Sequence, residues 1–542
     1  MFKEHIEAPL RALVQGPKSL AVLAGAGLIQ PFGPTTLGRL AYTVARWGTG
    51  PAGGYQSLAA RYPDEIGVID ERGTLTFGDV DRRTNALADS LAGLGIREGD
   101  GVAVMCRNHR GFIEATVAVA KLGADVLYLN TAFAGPQIAE VLGREKPRAV
   151  IYDEEFAEMV GDGGGDALRV LAWCDSEQPD QPTLDALIEQ GSTAGRNVPG
   201  RQGRSIILTS GTTGTPKGAT RGEGGTFGAA VSLLSTIPLH TGWTCHIAAP
   251  LFHTWGWAHL QMSMLLGTTV VLRRKFDPEE CLAVTQRYGC ESLAVIPVML
   301  QRIMELPKEV RSGYSLHSVK VVAASGSALP GDLAQAWMDE FGDTLYNIYG
   351  STEVAWATVA SPKDMRQAPG TSGKPPMGTV VRLLDDDGNP VPTGEVGRIF
   401  VGNSMLFEGY TGGGSKDVID GLMATGDIGR FDDEGRLFIE GRDDEMIVSG
   451  GENVFPAEVE DCLVRHPEVV EAAAIGVEDK QFGQRLRAFV VLRSSDSVTE
   501  DDLQAHVKAH LARYKVPRDI RFLDELPRNA TGKILKRELD AD

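Results

Sequence analysis

Apolar and polar positions fall into short blocks whose spacing switches between helical and extended periods. After Thr76, Val80, Leu87, Leu91 and Leu94 recur on one helical face, and Thr76 with Asp79 three positions later forms a capping-box pattern. Apolar runs at 102–105, 126–129 and 149–152 predict buried strands, with helices over 112–121 and 137–142 between them. This alternation predicts α/β layers with parallel strands. It resumes with strands at 205–208, 245–249, 268–272, 292–296 and 319–323 and a helix carrying Met262, Met264 and Leu265. From about Val380 the pattern shortens to small strands and tight turns, including 398–401 and a hairpin across Asp432-Asp433-Glu434-Gly435. Helices over 457–465 and 501–511, with strands at 472–477, 487–492 and 520–523, then predict a compact last unit.

A chain of 542 residues is too long for one ordinary core. The expected division is a leader over 1–50, a large domain over 51–442 and a small one over 443–542. Hydrophobic content of 42% and charged content of 23% suit a soluble globular enzyme. A formal charge of −19 argues against a nucleic-acid groove as the main partner surface. Cys106, Cys174, Cys245, Cys281, Cys290 and Cys462 include no CxxC pair and no metal-ligand cluster by spacing. Without a secretory signal, free thiols in a reducing cytoplasm are expected. In the leader, the apolar run 20–29 is too short to span a bilayer as a helix. Packing on the main body is its ordinary reading, and peripheral membrane contact the sharper one.

The most informative stretch is Thr209-Ser210-Gly211-Thr212-Thr213-Gly214-Thr215-Pro216-Lys217-Gly218. Three glycines, five hydroxyls and a lysine after a strand suit a polyphosphate cradle. It is not a Walker A loop, because Lys217 follows Pro216 and precedes Gly218. Tyr346-Asn347-Ile348-Tyr349-Gly350-Ser351-Thr352-Glu353 offers an aromatic face for a base, a hydroxyl for phosphate and a hard carboxylate for Mg²⁺. Taken alone, it is equally a loop before a helix start. Asp427 and Arg442 are two further polar anchors, and Lys533 lies on a Gly-containing loop near the C-terminus. Singly, each of these has a bland reading as a turn or a solvated charge.

Together, in this order and with Gly326 of Ser325-Gly326-Ser327-Ala328-Leu329-Pro330 between them, they resemble the adenylate-forming superfamily. That group includes acyl-CoA synthetases, luciferase-like enzymes and adenylation domains; among them, the chain is most similar to fatty acyl-CoA synthetases. The resemblance implies an α/β fold: a large N-terminal domain of layered sheets and helices with a β-rich lobe, and a small mobile α+β lid. It implies that Thr209 to Lys217 cradle ATP phosphates, that Gly326 and Tyr349 bracket adenine, and that Gly350 and Ser351 also belong to the cofactor site. Thr352 would meet phosphate and Glu353 would hold Mg²⁺. Asp427 and Arg442 would bind ribose, Asp443 would be the hinge, and Lys533 would bridge carboxylate and α-phosphate. Gly450 and Gly451 would join the thiol-delivery surface for CoA.

The implied reaction has two steps: a carboxylate attacks the ATP α-phosphorus, giving acyl-AMP and pyrophosphate, and the CoA thiolate then displaces AMP. Pro250-Leu251-Phe252-His253-Thr254-Trp255-Gly256-Trp257 bears on the acid. By resemblance His253 lines the acyl pocket and Trp257 aligns with the gate tryptophan of long-chain enzymes. With no charged specificity residue near them, a medium- or long-chain fatty acid is expected, since each buried methylene contributes about 0.8 kcal/mol. An aryl or short-chain acid, or transfer to a carrier protein in trans, is the alternative. A catalytically silent nucleotide- or acyl-binding protein is the reading from another class. Oligomeric state, including a homodimer, is left open.

Overall fold

The computed structural model describes residues 16–539, apart from 134, 162, 210–216, 221–225, 411–414, 444–446, 450–451, 455, 480–482, 495–497, 512–514 and 530–531. Two mostly parallel sheets form the large domain. In the first, Leu345–Ser351, Val321–Ala324, Ser292–Val295, Thr244–Ile247, Thr269–Val271 and Ile66–Asp70 lie parallel in that order. Antiparallel Ala355–Ala360 and Gly73–Thr76 close its two edges. In the second, Leu168–Leu171, Ala149–Tyr152, Gly101–Met105, Asp125–Tyr128 and Ser205–Thr209 run parallel. Lys217–Thr220 turns back antiparallel beside Ser205–Thr209, and Gly409–Tyr410 adds to it.

The parallel strands are largely apolar because helices cover both faces. Val102, Val104, Ala149, Ile151, Leu293 and Val295 are all fully buried. The Phe77–Gly93 helix begins as its sequence predicts: Thr76 Oγ1 accepts from the Asp79 N–H, and the Asp79 carboxylate accepts from the Thr76 N–H. Val80, Leu87 and Leu91 of this helix are buried, whereas Leu94 lies at its C-cap, 45% exposed.

A third, antiparallel sheet contains Val380–Leu384, Gly397–Gly402, Leu422–Phe431 and Leu437–Arg442. The predicted hairpin is present, with the Asp432 N–H donating to the Arg436 carbonyl and the Gly435 N–H to the Asp432 carbonyl. The small C-terminal unit packs Pro456–Val464 and Glu500–His510 on a sheet of Val469–Asp479, Gly483–Leu492 and Asp519–Phe522. Its own core includes Val459, Leu463, Ala474, Ala488, Leu503 and Val507. The fold is thus the expected large α/β domain with a β-rich lobe and a smaller α+β domain.

The leader is divided in its behaviour. Leu23, Ala26 and Trp47 are buried, and the Thr241 N–H donates to the Ala26 carbonyl at 2.9 Å, so part of it packs on the body. Leu20, Ile29, Leu37, Tyr42 and Val44 face outward. No helix among the described residues is long and apolar enough to cross a membrane.

Candidate active site

Parallel α/β sheets expose ligand-binding loops at the carboxyl ends of their strands. Here those ends supply most of the named chemistry. Residues 250–253 follow Thr244–Ile247, Ile296 and Val298 follow Ser292–Val295, Gly326 follows Val321–Ala324, and Thr352 and Glu353 follow Leu345–Ser351. The Tyr349–Glu353 segment is therefore a strand end entering a hairpin, not a loop before a helix. Pairing with Ala355–Ala360 across three residues wins over helix formation there. Gly350 permits the close crossing, because a Cβ on it would stand 1.8 Å from the Ala355 carbonyl oxygen.

Tyr349 donates its hydroxyl to Asp427 Oδ2 at 2.6 Å, joining the first sheet to the third. Asp427 and Arg442 are register partners across a hairpin, with Arg442 Nη1 3.5 Å from Asp427 Oδ1. Burial raises the Asp427 carboxyl above its ordinary value, while the Tyr349 hydroxyl and the charges of Arg442, Lys533 and Lys416 oppose that rise. Burial and the Asp427 charge together push the Tyr349 hydroxyl well up, so it stays a donor. This carboxylate has acceptor capacity beyond Tyr349, as two ribose hydroxyls require.

Glu353 holds the Tyr410 hydroxyl on Oε1 at 2.7 Å, and its backbone carbonyl accepts from the Phe407 N–H. A carboxylate anchored by one oxygen retains acceptor sites on the other, which fits a hard divalent cation. Ser351 Oγ accepts from the N–H groups of Glu353 and Val354, fixing the turn. Thr352 and Thr254 hydroxyls lie 2.8 Å apart, tying this turn to the helix that starts after His253.

The lysine loop reaches the same place. Asn529 Oδ1 accepts from the Lys533 N–H, and the Asn529 N–H donates to the Lys533 carbonyl, both at 2.9 Å. Arg528 and Lys536 anchor the loop's flanks to Glu471 and Glu460 at 2.8 and 2.9 Å. Gly532 sits at φ +77, and a Cβ on it would stand 2.5 Å from Val298 Cγ1. Thus the small domain's lysine turn rests against Val298 and Ile296, where Gly326 also packs, with the Lys533 side chain exposed. Asp443, the expected hinge residue, pairs with Arg398 at 2.9 Å.

The two acid-pocket candidates part company. His253 precedes the Thr254–Leu266 helix, and burial pushes its imidazole down to about 4. It is neutral near pH 7 and offers a substrate carboxylate no positive charge. Trp257 is 5% exposed and packs against Tyr128 and Phe112, with ring centroids 5.0 and 6.4 Å away. Gly256 between the tryptophans serves close approach rather than adjustment, since a Cβ there would lie 2.2 Å from the Pro250 carbonyl oxygen.

Ser210, Gly211, Thr212, Thr213, Gly214, Gly450 and Gly451 fall outside the described residues; Thr209 and Lys217 are described as backbone strand ends. Sequence reasoning missed Tyr410, Lys416 and Thr254. No short spacing links Tyr410 to Glu353; the Gly409–Tyr410 strand brings it there by pairing with Lys217–Thr220. Lys416 Nζ would stand 3.5 Å from a Cβ on Gly426, beside Arg442. A lysine close after a glycine run was the only hint. Among the described residues, folding brings Cys106, His109 and Asp153 together, and separately Cys462, His506 and His510. The free state of all six thiols agrees with expectation.

Residues 55–411 match the model of the AMP-binding enzyme family, and 458–533 match its C-terminal domain. The chain belongs to the AMP-binding enzyme family. It is 35% identical to a 2-succinylbenzoate–CoA ligase of Geobacillus kaustophilus, covering 88% of this chain and 95% of that protein. A feruloyl-CoA synthase of Amycolatopsis is 33% identical, covering 90% and 98%. Among solved structures, an anthranilate CoA ligase in complex with anthranoyl-AMP superposes with TM-score 0.82 at 26% identity, covering 90% and 96%. A Mycobacterium tuberculosis fatty acyl CoA synthetase superposes with TM-score 0.70 at 27% identity, covering 91% and 98%. The coarse activity of this AMP-binding enzyme is ATP-dependent adenylation of a carboxylic acid and formation of its CoA thioester.

Proposed function

We propose that this enzyme activates an aryl carboxylic acid, forming aryl-AMP and then aryl-CoA. The names of the relatives carry that choice: succinylbenzoate, ferulate and anthranilate are all aromatic acids. The enclosed Trp257 agrees with it, because a side chain packed into an aromatic cluster is poorly placed to swing aside for a long alkyl tail. The fatty-acid reading rests on the fatty acyl CoA synthetase superposition and the Phe252-His253 motif. CoA-dependent AMP release over a panel of benzoates, cinnamates and C4 to C16 fatty acids separates them. A preference of tenfold or more in kcat/KM for the C12 to C16 acids would overturn the aryl assignment. Replacing CoA by a phosphopantetheinylated carrier tests the acceptor.

In this reading, Lys533 meets the junction of substrate carboxylate and α-phosphate, and Asp427 and Arg442 hold ribose. Tyr349 flanks adenine and orients Asp427. Bound Mg²⁺ at Glu353 would neutralise polyphosphate charge. The carboxylate is already anionic, so no protein nucleophile is needed. Catalysis then consists of neutralising charge developing on phosphate and excluding water from the mixed anhydride. The large and small domains meet at Asp443, where rotation would exchange Lys533 for the 450–451 face.

The leader is proposed to lie against an anionic membrane surface. Five of the twelve exposed large hydrophobics among the described residues fall between Leu20 and Val44. Residues 16–63 hold four cations and no anion in a chain of charge −19, and they precede almost all of the family match. On Pro34–Trp47, Thr43 and Trp47 face inward, leaving Leu37, Tyr42 and Val44 outward with Arg39 and Arg46. That combination suits an interfacial helix. Sedimentation with phosphatidylcholine vesicles, with and without phosphatidylglycerol, tests it. Binding only to the anionic vesicles, lost in Leu37→Glu/Val44→Glu, is expected. Equal recovery in the supernatant with both vesicles would refute membrane contact, and self-association of the unmodified chain would point to a dimer face.

A further inference from the structure

Among the described residues, two cysteine–histidine groups lie outside the proposed nucleotide site, and their hydrogen bonds distinguish them. In the first, His109 Nδ1 accepts from the Gly111 N–H at 3.0 Å, and Nε2 meets Asp153 Oδ1 at 2.8 Å. Asp153 Oδ2 accepts from the Arg107 N–H at 2.8 Å. Both imidazole nitrogens are committed and every member is buried, so this group is a helix cap with no free donor atom for a metal.

The second group joins the two helices of the small domain. Cys462 lies on Pro456–Val464, and His506 and His510 lie four residues apart on Glu500–His510. One ligand atom from each lies within 4.8 Å of the other two. His506 Nε2 is 3.0 Å from the Cys462 carbonyl oxygen, and His510 Nδ1 is 2.8 Å from the His506 carbonyl oxygen. A carbonyl only accepts, so each of these nitrogens carries the proton. The lone pairs are then on His506 Nδ1 and His510 Nε2. Donation of the second ring N–H to a carbonyl is how metal-ligating histidines are commonly oriented.

Ring centroids of His506 and His510 are 4.4 Å apart, and His466 stands 5.1 Å from His506. His466 is an unsuitable fourth ligand in this arrangement. Its Nδ1 accepts from the Glu468 N–H at 3.3 Å, so its proton resides on Nε2.

We propose that Cys462, His506 and His510 form a transition-metal site of zinc type across the helix pair. Two imidazoles and one thiolate would bind Zn²⁺, with water in the fourth position. Metal–nitrogen bonds of about 2.0 Å and a metal–sulfur bond of about 2.3 Å would require the two rings and the thiol to draw together and turn their lone pairs to one point. The exposed His510 side chain has room to make that adjustment. Binding forms three protein–metal bonds and releases the Cys462 thiol proton to solvent. The assignment stands independently of which acid the enzyme activates.

Titration of the metal-free full-length protein with Co²⁺, followed by Zn²⁺ competition, is the test. One Co²⁺ should bind per chain with a sulfur-to-metal charge-transfer band in the near ultraviolet, which Zn²⁺ abolishes. Cys462→Ser should remove the band. His510→Ala, at an exposed position, should weaken Co²⁺ affinity by about 100-fold while circular dichroism stays unchanged. Binding without the sulfur band, an unchanged affinity in His510→Ala, or no stoichiometric binding would each overturn the site.

Discussion

At the end of the site proposed for the nucleotide, Tyr349, Asp427, Arg442, Glu353 and Tyr410 are held by directional polar contacts that cross from one sheet to another. At the end proposed for the acid, Trp257 is held by ring packing against Tyr128 and Phe112, and the neutral His253 has no side-chain cap bond. The difference is one of kind. Phosphate and ribose recognition uses a few residue types whose chemistry is visible in a sequence. The choice of acid depends on cavity shape, which many sequences can produce. The same contrast predicts that substitutions at the two ends fail differently: by losing transition-state or nucleotide stabilisation at one, by losing packing at the other.

The largest expected effect is at the packed end. Trp257→Ala removes a buried indole from a three-ring cluster and should lower unfolding stability by about 3–5 kcal/mol in denaturant titration. Retention of full stability with a changed acid profile would make Trp257 a pocket wall after all and weaken the contrast. Next comes Lys533→Ala, which deletes the only lysine of the docked turn. Acid-dependent ATP–pyrophosphate exchange should fall by about 10²- to 10³-fold, with thioester formation from supplied acyl-AMP largely retained. An equal fall in both half-reactions would remove Lys533 from a role confined to adenylation.

Much of the fold is written in residue pattern, and the reasons are local. Buried parallel strands such as 102–105 and 149–152 must be continuously apolar, and the Thr76/Asp79 cap is a three-residue signal. The residues proposed to hold the nucleotide stand out in the sequence because Tyr349, Glu353, Asp427, Arg442 and Lys533 occur in motifs and in order. Tyr410 does not, because its position follows from a strand pairing between segments far apart in the chain. The alternative reading of a helix start near Glu353 lost to a tight hairpin with Ala355–Ala360. Metal-ligand geometry at Cys462, His506 and His510 arises from the packing of two helices, and counting residues between cysteines and histidines does not find it.

A smaller effect sharpens the polar end. Tyr349→Phe deletes the hydroxyl that Asp427 accepts, at about 1.5 kcal/mol for a bond to a charged group, or roughly tenfold in KM for ATP. The bond also opposes the burial-driven rise of the Asp427 carboxyl, so its loss lets that carboxyl protonate at higher pH. The acid limb of the KM profile for ATP should therefore move to higher pH. A profile that keeps its position would mean that Arg442 and the lysines alone hold Asp427 ionised.

The smallest predicted effect concerns packing alone. His246 and His259 are buried, and burial pushes their imidazoles down from about 6.5 to about 3 and about 4. The unfolded chain takes up protons that these folded rings refuse, so stability is intact above about pH 6.5 and falls as pH drops through the window toward 4. Each ring contributes a slope of at most about 1.4 kcal/mol per pH unit there. His246 bonds Thr285 at 2.9 Å, whereas among the described residues neither nitrogen of His259 has a hydrogen-bond partner. His259→Leu should flatten the acid slope and, near pH 7, leave adenylation unchanged while gaining on the order of 1 kcal/mol in urea titration. A loss of stability at neutral pH would show that the imidazole is satisfied by buried water, making even this apolar region dependent on a polar contact.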